Sequence, residues 1–489
     1  EVEIEFSLSE NRIHFEFPEG YDSQKTLLID PNLTFSTFSG STGDNWGLTA
    51  APDVNGNLFG GGIVFSTGYP LTAGAYSTTF NGLIDLGITK FNVDGSALIY
   101  STYIGGIGSE TPNSIVSSPS GELFIFGLTS SANFPMAGTP YDNTFNSGPS
   151  VNGGASNNLD FSNGSDLYVA RLNATGTALL ASTYVGGGGT DGINTSSLRY
   201  NYGDQFRGEI ILDANGDVYV ASSTQSQNFP VVLGTQGSLS GTQDAIIFKM
   251  TPGLNSMIWS TYFGGTGEET GNGIQIASNG DVYVAGGSNS GSMPMFSGND
   301  LSFNGGISDG YVARFNGTNG SNLSGTYMGM NEYDQTYFVQ LDIDDKVYVL
   351  GQSESDWGVT AGQWGIANSG QFVRKYDATL NTIEWSTMIG AGTGHVEISP
   401  TAFLVSDCYD IYLSGWGGNL NASGPASNST TFGFPITTVA PNQAFQATTN
   451  GSNFYIAVLD QDATALKYGT YMGGVTSSFN HVDGGTSRF

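Results

Sequence analysis

One six-residue segment returns along this chain at intervals too regular to be chance. It is STYIGG at Ser101, STYVGG at Ser182, STYFGG at Ser260, GTYMGM at Gly325, STMIGA at Ser386 and GTYMGG at Gly469, with a weaker first copy, STFSGS, at Ser36. The copies are separated by 65, 81, 78, 65, 61 and 83 residues. A period of this size means one supersecondary unit repeated, whose apolar faces are buried only by stacking on its neighbours.

The unit can be read between two copies. After STYFGG comes GNGIQIAS from Gly271, the pair Asn279-Gly280, DVYVAGG from Asp281, a loop, DGYVARFN from Asp309 and SGTYMG from Ser324. Asn-Gly tolerates positive φ at both positions and signals a tight hairpin. Val282 to Ala285 alternate as a strand packed between two layers. The same order returns in GEIILDANGDVYVASS from Gly208 and GELFIFGLTS from Gly121. The third strand recurs as DLGITKFN from Asp85, DLYVARLN from Asp166, DAIIFKM from Asp244, QFVRKYD from Gln371 and NFYIAVLD from Asn453. A Phe-Pro or Tyr-Pro element sits in the long loop at Tyr69, Phe134, Phe229 and Phe434.

Four antiparallel strands per unit predict an all-β chain, a β-propeller of four-stranded antiparallel blades. A β-solenoid would need shorter and more uniform coils. Counting from each marker gives units starting near 35, 100, 181, 259, 324, 385 and 468, six full repeats plus a partial seventh across 35–489. A seven-bladed propeller in a longer parent is expected. Residues 1–34 fall outside the repeat; EVEIEFSLS and NRIHFEF read as two strands of a preceding β domain or of the propeller edge.

Composition agrees and narrows the partners. The 72 Gly, 24 Tyr and 30 Phe against 16 Pro suit short strands and tight turns. With 43 acidic and 13 basic residues the net charge is −30, which excludes nucleic acid as a partner because phosphate binding needs clustered Lys and Arg. The single cysteine, Cys408, closes no intramolecular disulfide. Its strand-like surroundings predict a buried thiol or one paired outside this segment. No run of eighteen apolar residues is present, so no transmembrane helix is expected.

The joint pattern of STYVGG at Ser182, DANGDVYVAS at Asp213, NFP at Asn228 and DAIIFKM at Asp244 resembles the SBBP-type bacterial β-propeller repeat. ISPTAFLVSDCYDIYLSGWGG from Ile398 and HVDGGTSRF from His481 are similar to the version in large Bacteroidetes surface proteins with gliding-motility-associated or type 9 secretion C-terminal domains. The resemblance implies an extracellular or outer cell-surface location and a structural, adhesion or interaction module. Its partners would be other surface or secreted proteins, or glycans. It brings no catalytic motif, and no enzyme is expected; a carbohydrate-binding or carbohydrate-cleaving propeller is the alternative.

Three sets of residues carry possible chemistry. The turns after the markers are acidic at Asp44, Glu110, Asp191, Glu268 with Glu269, Glu332 with Asp334, and Glu397. If Asp44, Glu110, Asp191, Glu268 and Asp334 converge at one rim, they form a Ca²⁺ site, because that hard cation takes six to eight oxygens; the other reading is solvated hairpin acids. Trp357, Trp364 and Trp416 are expected either to stack on sugar rings or to pack in the core. The openings DVNGN at Asp53 and DANGD at Asp213 imitate a calcium loop but lack its distal Glu, and read as Asx turns.

The remaining features are weaker. His14, His395 and His481 show no metal-ligand spacing, and His395 is read as solvated or hydrogen-bonded. Lys90, Arg171, Lys249, Arg314 and Lys375 recur at one place in the third strand and predict structural ion pairs. The insertions 147–165, 190–206 and 419–432 break the repeat and are the expected seats of unit-specific function.

Overall fold

A computed structural model describes residues 5–9, 12–16, 36–37, 40–152, 159–439 and 442–474. Six antiparallel four-stranded sheets follow one another along the chain and form a propeller ring. Blade 1 occupies residues 45–104, blade 2 110–185, blade 3 209–263, blade 4 269–328, blade 5 334–389 and blade 6 399–472. Blade 4 shows the plan: Glu269–Ile276, Val282–Ser288, Asp309–Phe315 and Asn322–Met328, each paired with the next. First strands of successive blades lie against one another, so they line the axis and the fourth strands form the outer edge.

The repeated segment is therefore the fourth strand of a blade and the turn that leaves it. Seven markers then bracket six blades, and the last marker, at Gly469, closes blade 6 rather than opening another. The expected partial seventh unit falls largely on 475–489, outside the described residues, and a seventh blade is not shown. Near the N-terminus, Glu5–Ser9 and Arg12–Glu16 pair antiparallel, with Leu8 opposite Ile13, where sequence alternation placed two strands.

Blades adhere through wedge-shaped apolar layers. Phe126, Leu128, Leu167 and Val169 of blade 2 share one buried cluster with Val218, Val220, Ile246 and Phe248 of blade 3. Each such side chain contributes about 1.5–3 kcal/mol by leaving water, which makes these layers the main source of cohesion.

The markers tie the long loops to this frame. Tyr262 Oη donates to Ser226 O at 2.7 Å and accepts from Phe229 N at 3.0 Å. Tyr184 does the same with Ser131 O and Phe134 N. Ser260 and Ser182 each donate to the carbonyl of the Pro that follows the loop Phe, both at 2.6 Å. Serine and tyrosine of the marker thus meet the Phe-Pro element, which explains why the two recur together.

The Asp-Asn-Gly turns close the first hairpin of their blades. Asp53 Oδ1 accepts from Asn55 N and Asn57 N, and Asp213 Oδ1 from Asn215 N and Asp217 N. Gly56 and Gly216 both take φ of +79°, a conformation that favours glycine. The third-strand cations cap these turns: Lys90 reaches Asp53 at 2.9 Å, Lys249 Asp217 at 2.9 Å, and Arg314 Asp281 at 2.5 Å. Although burial opposes it, bonds from Asn57 and Lys90 hold the Asp53 carboxyl down at about 2. These are the Asx turns and structural ion pairs that the sequence predicts.

Candidate functional site

Two places in the ring gather buried polar groups. The first is the seam between successive blades. The third strand of blades 1 to 4 begins with an acid, and a second acid faces it from the start of the next blade's first strand or, before blade 3, from an isolated bridge to Thr224, giving Asp85 with Glu110, Asp166 with Asp191, Asp244 with Glu269, and Asp309 with Asp334. All eight are buried to at most 1 % exposure. The penultimate marker residue separates them. A Cβ added at Gly186 would lie 2.8 Å from Asp191 Oδ2 and 3.0 Å from Asp166 Oδ1. Gly105 and Gly264 meet the same two acids at their seams. Glycine is required there because carboxylates occupy the place of its side chain.

The last marker residue then holds the second acid. Gly106 N donates to Glu110 Oε2 at 3.0 Å, Gly187 N to Asp191 Oδ2 at 2.8 Å, Gly265 N to Glu269 Oε2 at 3.0 Å, and Met330 N to Asp334 Oδ2 at 2.7 Å. Burial pushes these carboxyls up, and the neighbouring acid adds to it at several. Glu110 stands at about 7, Asp166 at about 8, Glu269 at about 8 and Asp309 at about 7. Asp85, Asp191 and Asp334 stand at about 6, and Asp244 is raised as well. The two remaining blades have no acid at this register: blade 5 has Gly370, whose N donates to Glu397 Oε2 at 3.2 Å, and blade 6 has Asn453.

The second place is the axis. Blade 3 opens with only four residues, Glu209–Leu212, where blade 4 has eight. The chain before it, insertion 190–206, turns inward through a short 3-10 segment, Tyr202–Phe206, and is buried throughout that segment. Asp204, 1 % exposed, accepts from Asn201 N at 2.7 Å and Tyr337 Oη at 2.8 Å and pairs with Arg207 Nε at 3.1 Å. Arg207 donates to Pro400 O at 2.9 Å and Ser399 Oγ at 3.2 Å, and its guanidinium lies 4.6 Å over the Tyr337 ring.

Contacts from this plug therefore reach blades 5 and 6 from blade 3. Asn201 Nδ2 donates to Gln352 Oε1 at 2.7 Å, and Asn421 Nδ2 to Asn201 Oδ1 at 3.0 Å. Tyr200 stacks on Tyr333 with centroids 3.5 Å apart. Asn421 belongs to insertion 419–432, so two of the three repeat-breaking insertions meet here. The third, 147–165, places Leu159 and Phe161 in the same buried cluster as Phe206. Parts of all three insertions are thus buried, Phe161, Tyr202–Phe206 and Asn421 among them.

The acids expected at one calcium rim are dispersed. Glu110, Asp191 and Asp334 sit at three different seams, Asp44 is exposed, and the seam residue at the fourth position is Glu269 rather than its partly exposed neighbour Glu268. Among the described residues no three His, Cys, Asp or Glu come together in a metal-binding group. Each seam acid is instead bonded to the marker turn beside it, Glu110 to Gly106 N, Asp191 to Gly187 N and Asp334 to Met330 N.

The tryptophans are not an open stacking platform. Trp416 is 2 % exposed and meets the Tyr202 ring edge-on. Trp357 is half-buried between Phe372, 4.0 Å away, and Arg374, and donates to Asp334 Oδ1 at 3.0 Å. Trp364 is half-buried against the blade 5 and 6 core. Of the three, Trp416 is a core residue, and Trp357 and Trp364 are packed on one side and half-exposed on the other.

Cys408 is exposed in a turn of blade 6, not buried, because the strand-like run breaks at Ser406–Asp410. His395 bonds Glu354 at 2.8 Å, and Glu354 also accepts from Tyr200 Oη at the plug's edge. His14 lies in a strand whose side chains are outside the description, and His481 falls outside the described residues.

Asp85, Asp166, Asp244 and Asp309 are the site residues that sequence reasoning missed. Their signal was present, since an Asp opens the third strand four times at one register.

No family model matches the chain, and no curated protein matches it. Solved structures do. A protein of unknown function from Dyadobacter fermentans is 12 % identical with a TM-score of 0.41, over 77 % of this chain and 92 % of its own. A polysaccharide lyase of the PL25 family, an ulvan lyase, is 10 % identical with a TM-score of 0.41, over 88 % and 85 %. A protein of unknown function from Bacteroides caccae is 9 % identical with a TM-score of 0.36, over 83 % and 95 %. At such values these likenesses carry no argument about activity.

Proposed function

We propose that this chain is a non-enzymatic β-propeller of SBBP-type repeats that acts as a structural or interaction module in a larger extracellular or cell-surface protein. The axial plug carries the reading. Asn201, Asp204, Arg207, Gln352 and Asn421 point their polar atoms at one another and at backbone carbonyls, so the groups nearest the axis are consumed in holding blades 3, 5 and 6 together. The marker residues are consumed likewise at the seams and loop anchors. The net charge of −30 suits a soluble surface that repels its own copies. Among the described residues no helix is long and apolar enough to cross a membrane.

A second reading, neutral-glycan binding, has one observation in its favour. A cavity of about 530 Å³ between blades 3 and 4 is lined by Gln236, Ser240, Ser292, Asn322, Tyr262 and the exposed Phe296, a set of amides, hydroxyls and aromatic rings without a charge. Its size is in the range of small-molecule sites. Incubating the purified chain with a panel of neutral and acidic polysaccharides tests both readings. The module reading expects no new chain ends and full accessibility to protease added to intact producing cells. Turnover of any polysaccharide, or protection inside intact cells, overturns it. Binding without turnover that Phe296→Ala removes establishes the second reading instead.

A further inference from the structure

Three seams contain an acceptor oxygen that nothing donates to. Asp85 Oδ1, Asp166 Oδ1 and Asp309 Oδ1 are fully buried and accept no N–H or O–H bond. Their other oxygens are used identically: Asn81 N donates to Asp85 Oδ2 at 2.8 Å, Asn146 N to Asp166 Oδ2 at 2.8 Å, and Asn304 N to Asp309 Oδ2 at 2.6 Å. A buried carboxylate oxygen left bare beside a second carboxylate is costly on two counts, lost hydration and like-charge repulsion. Three repetitions of one arrangement call for one explanation.

Blade 6 supplies it. There Asn453 stands where blades 1 to 4 have Asp, and Asn450 N donates to its Oδ1 at 2.9 Å, as a backbone N–H does to one Asp oxygen at the three seams. Its other atom is an amide nitrogen, and that nitrogen donates, to Gly474 O at 3.1 Å. The position facing the seam is therefore a donor position wherever the atom type reveals its role. An aspartate can donate from it only as a carboxylic acid.

The acid across the glycine is provided for in the opposite sense. Glu110 accepts from Gly106 N, Thr129 Oγ1 and Ser131 Oγ, and Asp191 from Gly187 N, Thr224 Oγ1 and Ser226 Oγ. Donors converging on both oxygens favour the ionised form. By their donors the second acid of each pair is built to hold charge and the first a proton, although at the first seam burial raises Glu110, at about 7, further than Asp85, at about 6.

We propose that the pairs Asp85–Glu110, Asp166–Asp191 and Asp309–Asp334 each retain one proton at neutral pH, carried on the unpartnered Asp oxygen, and that these protons lock neighbouring blades together. The ring is then an acid-stabilised device, loosened when alkali removes the protons and leaves two buried charges at each seam.

The groups facing each pair do not supply a compensating cation at the first two seams. Around Asp85 and Glu110 stand the neutral tyrosines Tyr168 and Tyr184, and around Asp166 and Asp191 stand Asp142, Tyr184 and Tyr262. At the third, Asp300 lies near Asp309, and Arg374 near Asp334, favouring its charged form. The remaining pair is an internal contrast: both oxygens of Asp244 accept N–H bonds, from Gly241, Ser240 and Gln236, so Asp244 is not its proton donor.

The sign follows from the raised carboxyls. Their stabilising effect is complete below the unfolded value near pH 4 and is lost as pH rises through about 6 to 8. Thermal unfolding of the whole chain should show a melting temperature lower by about 5 °C or more at pH 8.5 than at pH 5. In the triple variant Asp85→Asn, Asp166→Asn, Asp309→Asn, an amide donates without a proton, so the melting temperature at pH 5 is retained and the fall with pH is less than half as large.

A wild-type melting temperature independent of pH overturns the proposal, as does an undiminished fall in the variant. Millimolar Ca²⁺ that raises the wild-type melting temperature at pH 8.5, but not the variant's, overturns it too, since the pairs would then hold a cation. Should the variant not fold, infrared spectroscopy of the wild type in D₂O decides: a protonated-carboxyl stretch at pH 7 that bleaches by pH 9 supports the lock, and its absence refutes it.

Discussion

The seams and the plug are both buried and polar, yet they hold the ring by different logic. A seam is made from residues a few positions apart in one repeated segment: Gly105, Gly106 and Glu110 at the first, Gly186, Gly187 and Asp191 at the second. The plug occurs once and joins residues 133 to 220 positions apart, as in Tyr337 with Asp204 and Asn421 with Asn201. Repetition spreads a modest interaction over many sites. A single cross-ring network concentrates it, so one substitution there should matter more than one at any seam.

The largest expected effect is at the plug. Arg207→Ala leaves Asp204 buried and uncompensated and removes the bonds to blade 6, which should lower stability by about 3–5 kcal/mol in denaturant titration. A loss under about 1 kcal/mol would erase the contrast between plug and seam. The middle effect is at a seam. Gly186→Ala drives a methyl toward Asp191 and Asp166 and should cost about 1–3 kcal/mol, whereas Gly237→Ala, with nothing near its Cβ position, should change little. Equal effects would mean that the marker glycine serves its backbone rather than the acids. The smallest belongs to neither region: the exposed Lys467–Asp410 pair should contribute about 0–1 kcal/mol on Lys467→Ala, which sets the baseline for a surface ion pair.

The local elements of each blade were largely legible in the chain. Marker, Asp-Asn-Gly turn, Phe-Pro loop and third-strand cation each recur, and each fits one local interaction within a blade or between neighbours. Blade 4 has the four strands read from its sequence. What misled was assigning the marker to the start of a unit. It is the fourth strand, so among the described residues the markers bracket six blades, and a seventh is not shown. The pairing of Asp85 with Glu110 was missed for a related reason, since the two acids belong to different blades and only stacking brings them across Gly105.

The plug was not legible. Asn, Gly and Ser in insertions 190–206 and 419–432 look like solvated loop, and Arg207 is one base among thirteen. Their burial depends on the width of the axial space, which is set by how many blades close the ring and by a first strand of four residues in blade 3. Trp416 shows the same limit: an aromatic ring suits a sugar or a wedge between blades equally well until the neighbouring blade is in place.

By itself, then, the sequence determined the repeating unit, its turns and the residues that anchor its loops, because these rest on interactions within a blade or at its next neighbour, at a spacing the repeat preserves. Only the tertiary structure decided the place of the marker within a blade, the facing of the seam acids and the filling of the axis. Those depend on distances between residues far apart in the chain, which no local pattern encodes.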